Sequence, residues 1–195
     1  VSPGVLVAAS DPWSRELLGQ LVLSVRCDAN VEFCEDGDTA IEALEARLGY
    51  TFRDRRLLEN ALMHSSYANE NRARGYTSNE RLEFLGDSVL GMVTAARLYA
   101  LYPDMPEGKM SRLRAELVCE QALHGVALTL HLGDYIRLGH GEERSGGRER
   151  PSILADAVEA VIAAMYLDGG LEPAQRFILA HILNGLAEGE IHHVE

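Results

Sequence analysis

The sequence predicts a mainly α-helical protein with a small α/β appendage at its N-terminus. From Leu44 onward, apolar residues recur at helical spacing almost throughout. Pro106 and Pro173 stand at plausible first-turn positions, and Gly49 and Gly133 stand at plausible helix ends. Before Leu44, short apolar and alternating runs, which are typical of strands, separate two helical stretches.

The appendage, residues 1–43, is predicted to have the order β-α-β-α. Residues 5–9 (VLVAA) can form a buried strand, and the alternating residues 30–34 (NVEFC) a second one. Each predicted strand precedes a helical stretch, the last being Thr39–Leu48. Four elements of this length cannot bury enough surface to be stable alone. One helix can serve both parts of the chain, because the last helical stretch runs past residue 43.

The remaining chain, residues 44–188, is predicted as one helical domain, followed by a short tail at 189–195. Segment 139–150 (GHGEERSGGRER) is polar and glycine-rich, which indicates a mobile loop. The predicted helices are 54–63, 79–102, 106–132, 152–168 and 172–187.

Composition restricts the classes of partner. A formal net charge of −12 over 195 residues argues against a protein that binds polyanions over its whole surface. Lys109 is the single lysine among 18 basic residues, and the arginines suit bidentate phosphate contacts. The apolar runs are shorter than a membrane span and no basic signal start is present, so we expect no membrane partner. Three cysteines without metal spacing, Cys27, Cys34 and Cys119, favour reduced thiols in the cytoplasm.

The stretch NERLEFLGDSVL, residues 79–90, gathers negative charge on one helical stripe. Glu80, Glu83 and Asp87 fall within about 60° of one another around a helix. Like charges at this spacing repel by a few tenths of a kcal/mol. The apolar residues between them indicate that the same helix also packs in a core or an interface.

A second acidic pair, Asp156 and Glu159, lies in the apolar helix pattern SILADAVEAVIAAMYLDGG. The i, i+3 spacing places both on one face, where burial of an unpaired carboxylate costs several kcal/mol. A divalent cation held between the two acidic helices would compensate this cost, and Mg²⁺ prefers such oxygen ligands. Exposed acids, or acids in the first turn of a helix, are the alternative interpretation.

These stretches resemble the ribonuclease III family. NERLEFLGDSVL is similar to its signature, and three further stretches match in order and spacing: residues 44–70, 106–123 and 146–170. The resemblance covers residues 44–188 and implies an all-helical endonuclease domain. It implies that Glu83, Asp87, Asp156 and Glu159 are the catalytic, metal-binding carboxylates. It also implies that Glu80 and Glu120 line the cleft and that Phe84 packs into a partner subunit.

The resemblance implies the chemistry as well. The expected activity is metal-dependent hydrolysis of double-stranded RNA, leaving 5′-phosphates, 3′-hydroxyls and short 3′ overhangs, in the processing of ribosomal, messenger or small RNA. The expected cofactor is Mg²⁺, with Mn²⁺ as a substitute, and the expected assembly is a homodimer. The alternative is a double-stranded RNA-binding protein that uses the same fold without catalysis. A double-stranded RNA-binding domain normally follows in this family, and we expect none in this sequence.

Other polar residues carry weaker expectations. Candidate phosphate contacts are Arg112, Arg114, Arg144, Arg148 and Arg150, with ordinary solubilising charge as the alternative. His64-Ser65-Ser66 is assigned a structural role, His192-His193 a solvated tail, and Trp13 a packing role in the appendage.

Residues 4–44 are similar to the first half of a response-regulator receiver domain. The acidic pair expected after the first strand is replaced by Ala9 and Ser10, and the strand with the phosphoacceptor aspartate is missing. We therefore expect no phosphoryl switch. A signalling module led by this segment is the rival to a nuclease, and it would need a complete phosphoacceptor site.

Overall fold

The computed structural model describes residues 35–186, with side chains from residue 40 onward. This part of the chain is built from helices, with three short 3₁₀ turns and an isolated bridge between Met63 and Arg137. The helices are α1 (Glu35–Leu48), α2 (Arg55–Ala61), α3 (Ser65–Glu70), α4 (Glu80–Leu101), α5 (Glu107–Leu117), α6 (Glu120–Thr129), α7 (His140–Arg144), α8 (Pro151–Gly169) and α9 (Leu171–His181). The 3₁₀ turns are Arg72–Arg74, Leu132–Asp134 and Gly147–Glu149.

Helix α8 is the centre of the described domain. Its residues are apolar on almost every side, which is the pattern of a helix surrounded by protein. Helices α2, α4, α6 and α9 all pack against it. Five of its buried residues are alanines, which let neighbouring helices approach closely: Ala155, Ala157, Ala160, Ala163 and Ala164.

Helices α4 and α8 approach very closely where they cross. A Cβ placed on Gly86 would collide with the carbonyl carbon and oxygen of Glu159 and lie 3.0 Å from its Cα. Only a glycine therefore permits this crossing. As a consequence, the acidic stripe of α4 lies against the acidic pair of α8.

A carboxylate fixes the far end of α8. Asp168 accepts hydrogen bonds from the Tyr50 hydroxyl at 2.6 Å and from the backbone N–H groups of Arg53 and Asp54 at 2.9 and 2.8 Å. Burial, followed by the bond to Asp168, raises the pKa of Tyr50 and keeps this hydroxyl a donor. These hydrogen bonds hold the residues just before α2 against the end of α8.

The expected fold class is confirmed at the level of a mainly helical domain, and helices predicted at 54–63, 79–102 and 152–168 are present with small shifts. The single helix predicted at 106–132 is wrong, because the chain turns at Val118–Cys119 to form α5 and α6. Helix α5 packs on α4 while α6 packs on α8, and one straight helix cannot reach both.

Two further expectations need correction. Segment 139–150 is ordered rather than a mobile loop, because α7 and a 3₁₀ turn form there and Arg148 bonds the carbonyls of Gly133 and Ile136 at 2.7 and 3.0 Å. The last helix, predicted at 172–187, ends at His181.

The predicted strands and the receiver-like appendage lie outside the described residues, apart from α1. That helix continues without a break through residue 43, so the boundary predicted there falls inside a helix.

By length and composition alone, one helix in the described range, α4, is apolar enough to cross a membrane. The core helix of a globular domain passes the same test. The inner face of α4, including Leu82, Val89 and Leu90, is buried in this domain.

Replacing Gly86 by alanine tests the crossing. Because the added methyl group meets backbone atoms, which cannot rotate away, we expect Gly86→Ala to lower the free energy of unfolding by about 3 kcal/mol. Gly125 is the matched control, since it lies inside α6 with no atom within 4 Å of an added Cβ. Gly125→Ala should instead stabilise the helix by about 0.5–1 kcal/mol. Equal denaturant midpoints for the two variants would contradict the close crossing.

Candidate metal centre

Three carboxylates meet where α4 crosses α8. Glu83 comes from α4, and Asp156 and Glu159 come from α8. One carboxylate oxygen of each lies within 4.8 Å of the others, and all three side chains are partly buried. Helix α4, with one acid, and helix α8, with two acids three residues apart, thus bring negative charge together at one point.

Asp87, the fourth expected ligand, lies beside this cluster and not inside it. It is one turn beyond Glu83 on α4, and its side chain is exposed. Its charge nevertheless acts on both Glu83 and Glu159. The structure therefore brings three of the four expected ligands together and leaves Asp87 at the solvent side.

Burial raises the pKa of every carboxylate in the cluster, and negatively charged neighbours add to this effect. The pKa of Glu159 rises to about 7, first through burial and then through Asp87, Asp156 and Glu83. Burial also raises the pKa of Glu83, with Asp156 contributing next. The charged neighbours that shift these two residues are all carboxylates. Glu159 of the metal-free cluster, with a pKa of about 7, is therefore partly protonated near neutral pH.

Two more acids extend the negative field. Glu80, exposed in the first turn of α4, accepts a hydrogen bond from the Ser78 hydroxyl at 2.7 Å and helps to raise the pKa of Glu83. Glu120, exposed in the first turn of α6, adds to the effect of burial on the pKa of Asp156. The charges of both residues therefore act on the cluster, and their roles in a cleft stay predictions.

A hard divalent cation fits this donor set. The cluster offers only carboxylate oxygens, which Mg²⁺ and Mn²⁺ prefer. The partly buried carboxylates have raised pKa values, so neutralisation by a cation relieves an unfavourable interaction. A bound cation would displace the proton of Glu159, so its affinity would depend on pH.

The candidate phosphate contacts differ in their surroundings. Arg112, Arg114 and Arg144 are exposed. Arg148 makes four hydrogen bonds, two to Glu143 at 2.8 and 2.6 Å and two to backbone carbonyls. Its guanidinium has a clear structural role, and an RNA contact stays a prediction. Arg150 donates to the Ser145 hydroxyl at 3.1 Å.

The segment His64-Ser65-Ser66 has the structural role that the sequence suggested, because His64 caps α3. The charge of His64 also lowers the pKa of Asp156, which places the imidazole near the cluster. No local pattern indicates this proximity, since it arises from packing between distant segments. His192-His193 and Trp13 lie outside the described residues.

The outer face of α4 is apolar and open. Phe84 is 78% exposed, Met92 50% and Tyr99 76%. Beside Tyr99 lies a pocket between α4 and α5. It is lined by Ala95, Leu98, Glu107, Met110 and Arg114, among others.

The raised pKa of Glu159 predicts how the metal-free protein responds to pH. A carboxylate with a folded pKa above its unfolded value contributes stability at low pH that is lost as pH rises through about 7. Glutamine resembles the protonated acid, so in a chelator Glu159→Gln should be more stable than the wild type at pH 8, by about 1–3 kcal/mol. At pH 5 the two should unfold alike. Thermal unfolding with the exposed Glu172→Gln as control measures this, and a variant less stable at pH 8 would refute it.

Comparison with known proteins agrees with this geometry. A family model described as ribonuclease-III-like matches residues 54–186. Ribonuclease 3 of Symbiobacterium thermophilum is 59% identical over 136 residues, which cover 69% of this chain and 56% of that protein. Ribonuclease 3 of Oceanobacillus iheyensis is 48% identical over 153 residues, which cover 78% of this chain and 67% of that protein. The chain thus spans only part of the length of these curated relatives.

A solved structure has a similar fold. The nuclease domain of ribonuclease III from Campylobacter jejuni, described for structural flexibility in a region involved in dimer formation, superposes with a TM-score of 0.69 at 43% identity. The match covers 75% of this chain and 98% of that domain. The family model alone covers more than half of the chain, so the chain belongs to the ribonuclease III family.

Proposed function

We propose that this chain is a metal-dependent endonuclease that hydrolyses double-stranded RNA to products with 5′-phosphates, 3′-hydroxyls and short 3′ overhangs. The observation that carries the proposal is the convergence of Glu83, Asp156 and Glu159, with Asp87 beside them. The curated relatives named Ribonuclease 3, at 48–59% identity, support the same activity. Its setting would be RNA processing, and the exposed thiol of Cys119 agrees with a cytoplasmic location.

In this proposal Glu83, Asp156 and Glu159 hold Mg²⁺, for which Mn²⁺ can substitute. When bound, the metal would lower the pKa of a water molecule and stabilise charge on the phosphoryl group. Glu159 must first lose the proton that its raised pKa of about 7 favours. Asp87, as the exposed acid, can accept a hydrogen bond from the attacking water. The water oxygen bonds to phosphorus while the bond to the 3′ oxygen breaks, and that oxygen takes up a proton.

Recognition of the duplex would rest on shape and backbone contacts. A-form RNA has a major groove too narrow for side chains, so its phosphates and 2′-hydroxyls are read instead. The exposed Arg112 and Arg114 of α5 are the candidate phosphate contacts. Because the chain carries a net charge of −12, such contacts must be local and sensitive to salt.

We also propose that the open face of α4 forms a two-fold dimer interface. In an antiparallel pair of α4 helices that cross near Met92, Phe84 of the partner subunit lies about 12 Å from the crossing point. Tyr99 lies at about the same distance on the other side. The partner's Phe84 would then enter the pocket beside Tyr99. The dimer region named for the Campylobacter jejuni domain supports this assembly.

The alternative is a double-stranded RNA-binding protein without catalysis. It would hold the duplex equally well with Mg²⁺ or chelator and would produce no short fragments. The set of four acids argues against it, because acidic side chains repel phosphates and hinder binding unless a cation is present.

Cleavage of a long RNA duplex tests the activity. We expect short duplex products with Mg²⁺ and none in chelator, with 5′-phosphates and 3′-hydroxyls at their ends. Glu159→Gln keeps the side-chain size but removes one anionic ligand, so cleavage should fall by at least about a hundredfold while RNA binding persists. Glu172→Gln, an exposed acid on α9, should cleave normally. A cleavage rate for Glu159→Gln equal to that of the wild type would contradict the assignment of Glu159 as a metal ligand.

Removal of the Phe84 ring tests the dimer. If the ring fills a pocket of the partner, Phe84→Ala should weaken dimerisation by about 2–4 kcal/mol. Leu128→Ala, which removes a 56% exposed side chain from α6, should leave the dimer intact. Sedimentation over a range of concentrations measures both. A wild-type monomer at micromolar concentration would rule out this interface.

A further inference from the structure

The ring of His64 is held in one orientation by its own segment. Its Nδ1 lies 2.8 Å from the Ser66 hydroxyl and accepts the Ser66 backbone N–H at 3.2 Å. The Ser66 hydroxyl oxygen in turn accepts the backbone N–H of Gly139 at 2.8 Å. Two residues from two distant segments, Ser66 and Gly139, thus hold one imidazole.

This network also favours one tautomer of the ring. A nitrogen that accepts an N–H cannot itself carry a proton, so Nδ1 is bare in the neutral ring. A bare Nδ1 can also accept the hydrogen of the Ser66 hydroxyl, whose oxygen lies 2.8 Å away. The proton of the neutral imidazole must therefore lie on Nε2. The capping of α3 leaves an N–H donor on the other side of the ring.

Backbone hydrogen bonds tie the segment that carries this ring to the helix that carries Glu83. The carbonyl of Met63 accepts the N–H of Asn79 at 2.9 Å, and the carbonyl of Asn79 accepts the N–H of Glu83 at 2.9 Å. The residue before His64 is thereby tied to the start of α4. The charge of His64 acts on Asp156 from this position, opposing the effects of burial and Glu120.

We propose that His64 is a positioning residue for the metal centre, whose Nε2–H donates a hydrogen bond to Asp156 when that carboxylate binds the metal. The inference rests on the metal site of the proposed function. A carboxylate ligand needs an outer hydrogen bond to fix its orientation, and loss of such a partner commonly weakens metal affinity by 10- to 100-fold. The capping role and this positioning role use opposite nitrogens of one ring.

Two substitutions separate the two roles. Asparagine places an oxygen near the position of Nδ1 and is a favourable cap, but its amide ends short of Nε2. Glutamine reaches the position of Nε2 with an N–H donor, but it has no acceptor at Nδ1. His64→Asn should therefore keep the fold and lose the positioning, while His64→Gln should do the reverse.

Binding of Mn²⁺ without RNA, measured by electron paramagnetic resonance at pH 8, tests the inference directly. We expect His64→Asn to bind Mn²⁺ about tenfold more weakly than the wild type, with an unchanged melting temperature in chelator. His64→Gln should melt at a lower temperature yet bind Mn²⁺ more tightly than His64→Asn. Asp156→Asn is the reference for loss of the ligand itself.

The outcomes distinguish this inference from the proposed function. Wild-type affinity in His64→Asn, together with weak binding by Asp156→Asn, would overturn the role of His64 alone. Absence of Mn²⁺ binding by the wild type would overturn the metal site and the inference together. If His64→Asn does not fold, Ser66→Ala replaces it, since it frees the ring but keeps Nε2–H. Unchanged Mn²⁺ affinity in Ser66→Ala would then refute the proposal.

Discussion

The contact of Gly86 with the backbone of Glu159 is the constraint on which the rest of this domain depends. It lets α4 and α8 cross without a side chain between them. Glu159 lies at the crossing itself, so its side chain shares one space with Glu83 and Asp156, each three residues before the crossing on its own helix. The alanines of α8 extend the same close packing to its other neighbours, so the central helix can be surrounded and still carry charge on one face.

The crossing has an electrostatic consequence. Burial and the negative charge of neighbouring carboxylates disfavour the ionised form of Glu159. They raise its pKa to about 7. Either protons or a cation must balance the charge. The apolar packing of α8 provides the stability that tolerates such a cluster. The acidic cluster therefore costs stability in the metal-free protein, and a bound cation would offset that cost.

Much of the fold and the site could be predicted from the sequence. The spacing of Glu83, Asp156 and Glu159 indicated acids on helix faces, because helical periodicity is a local property. The break at Val118–Cys119 was missed, since neither residue is a strong breaker and the turn follows from packing on two different helices. The order in segment 139–150 was missed because distant partners, such as Ser66 and Gly133, supply its hydrogen bonds. The proximity of His64 to Asp156 was hidden for the same reason.

The central claim is that the crossing of α4 and α8 creates a cation site. Crystals of this chain soaked in Mn²⁺, with anomalous diffraction recorded near the manganese edge, test it most directly. The account predicts an anomalous peak between the carboxylates of Glu83, Asp156 and Glu159. A peak elsewhere on the chain, with none at these three residues, would contradict it.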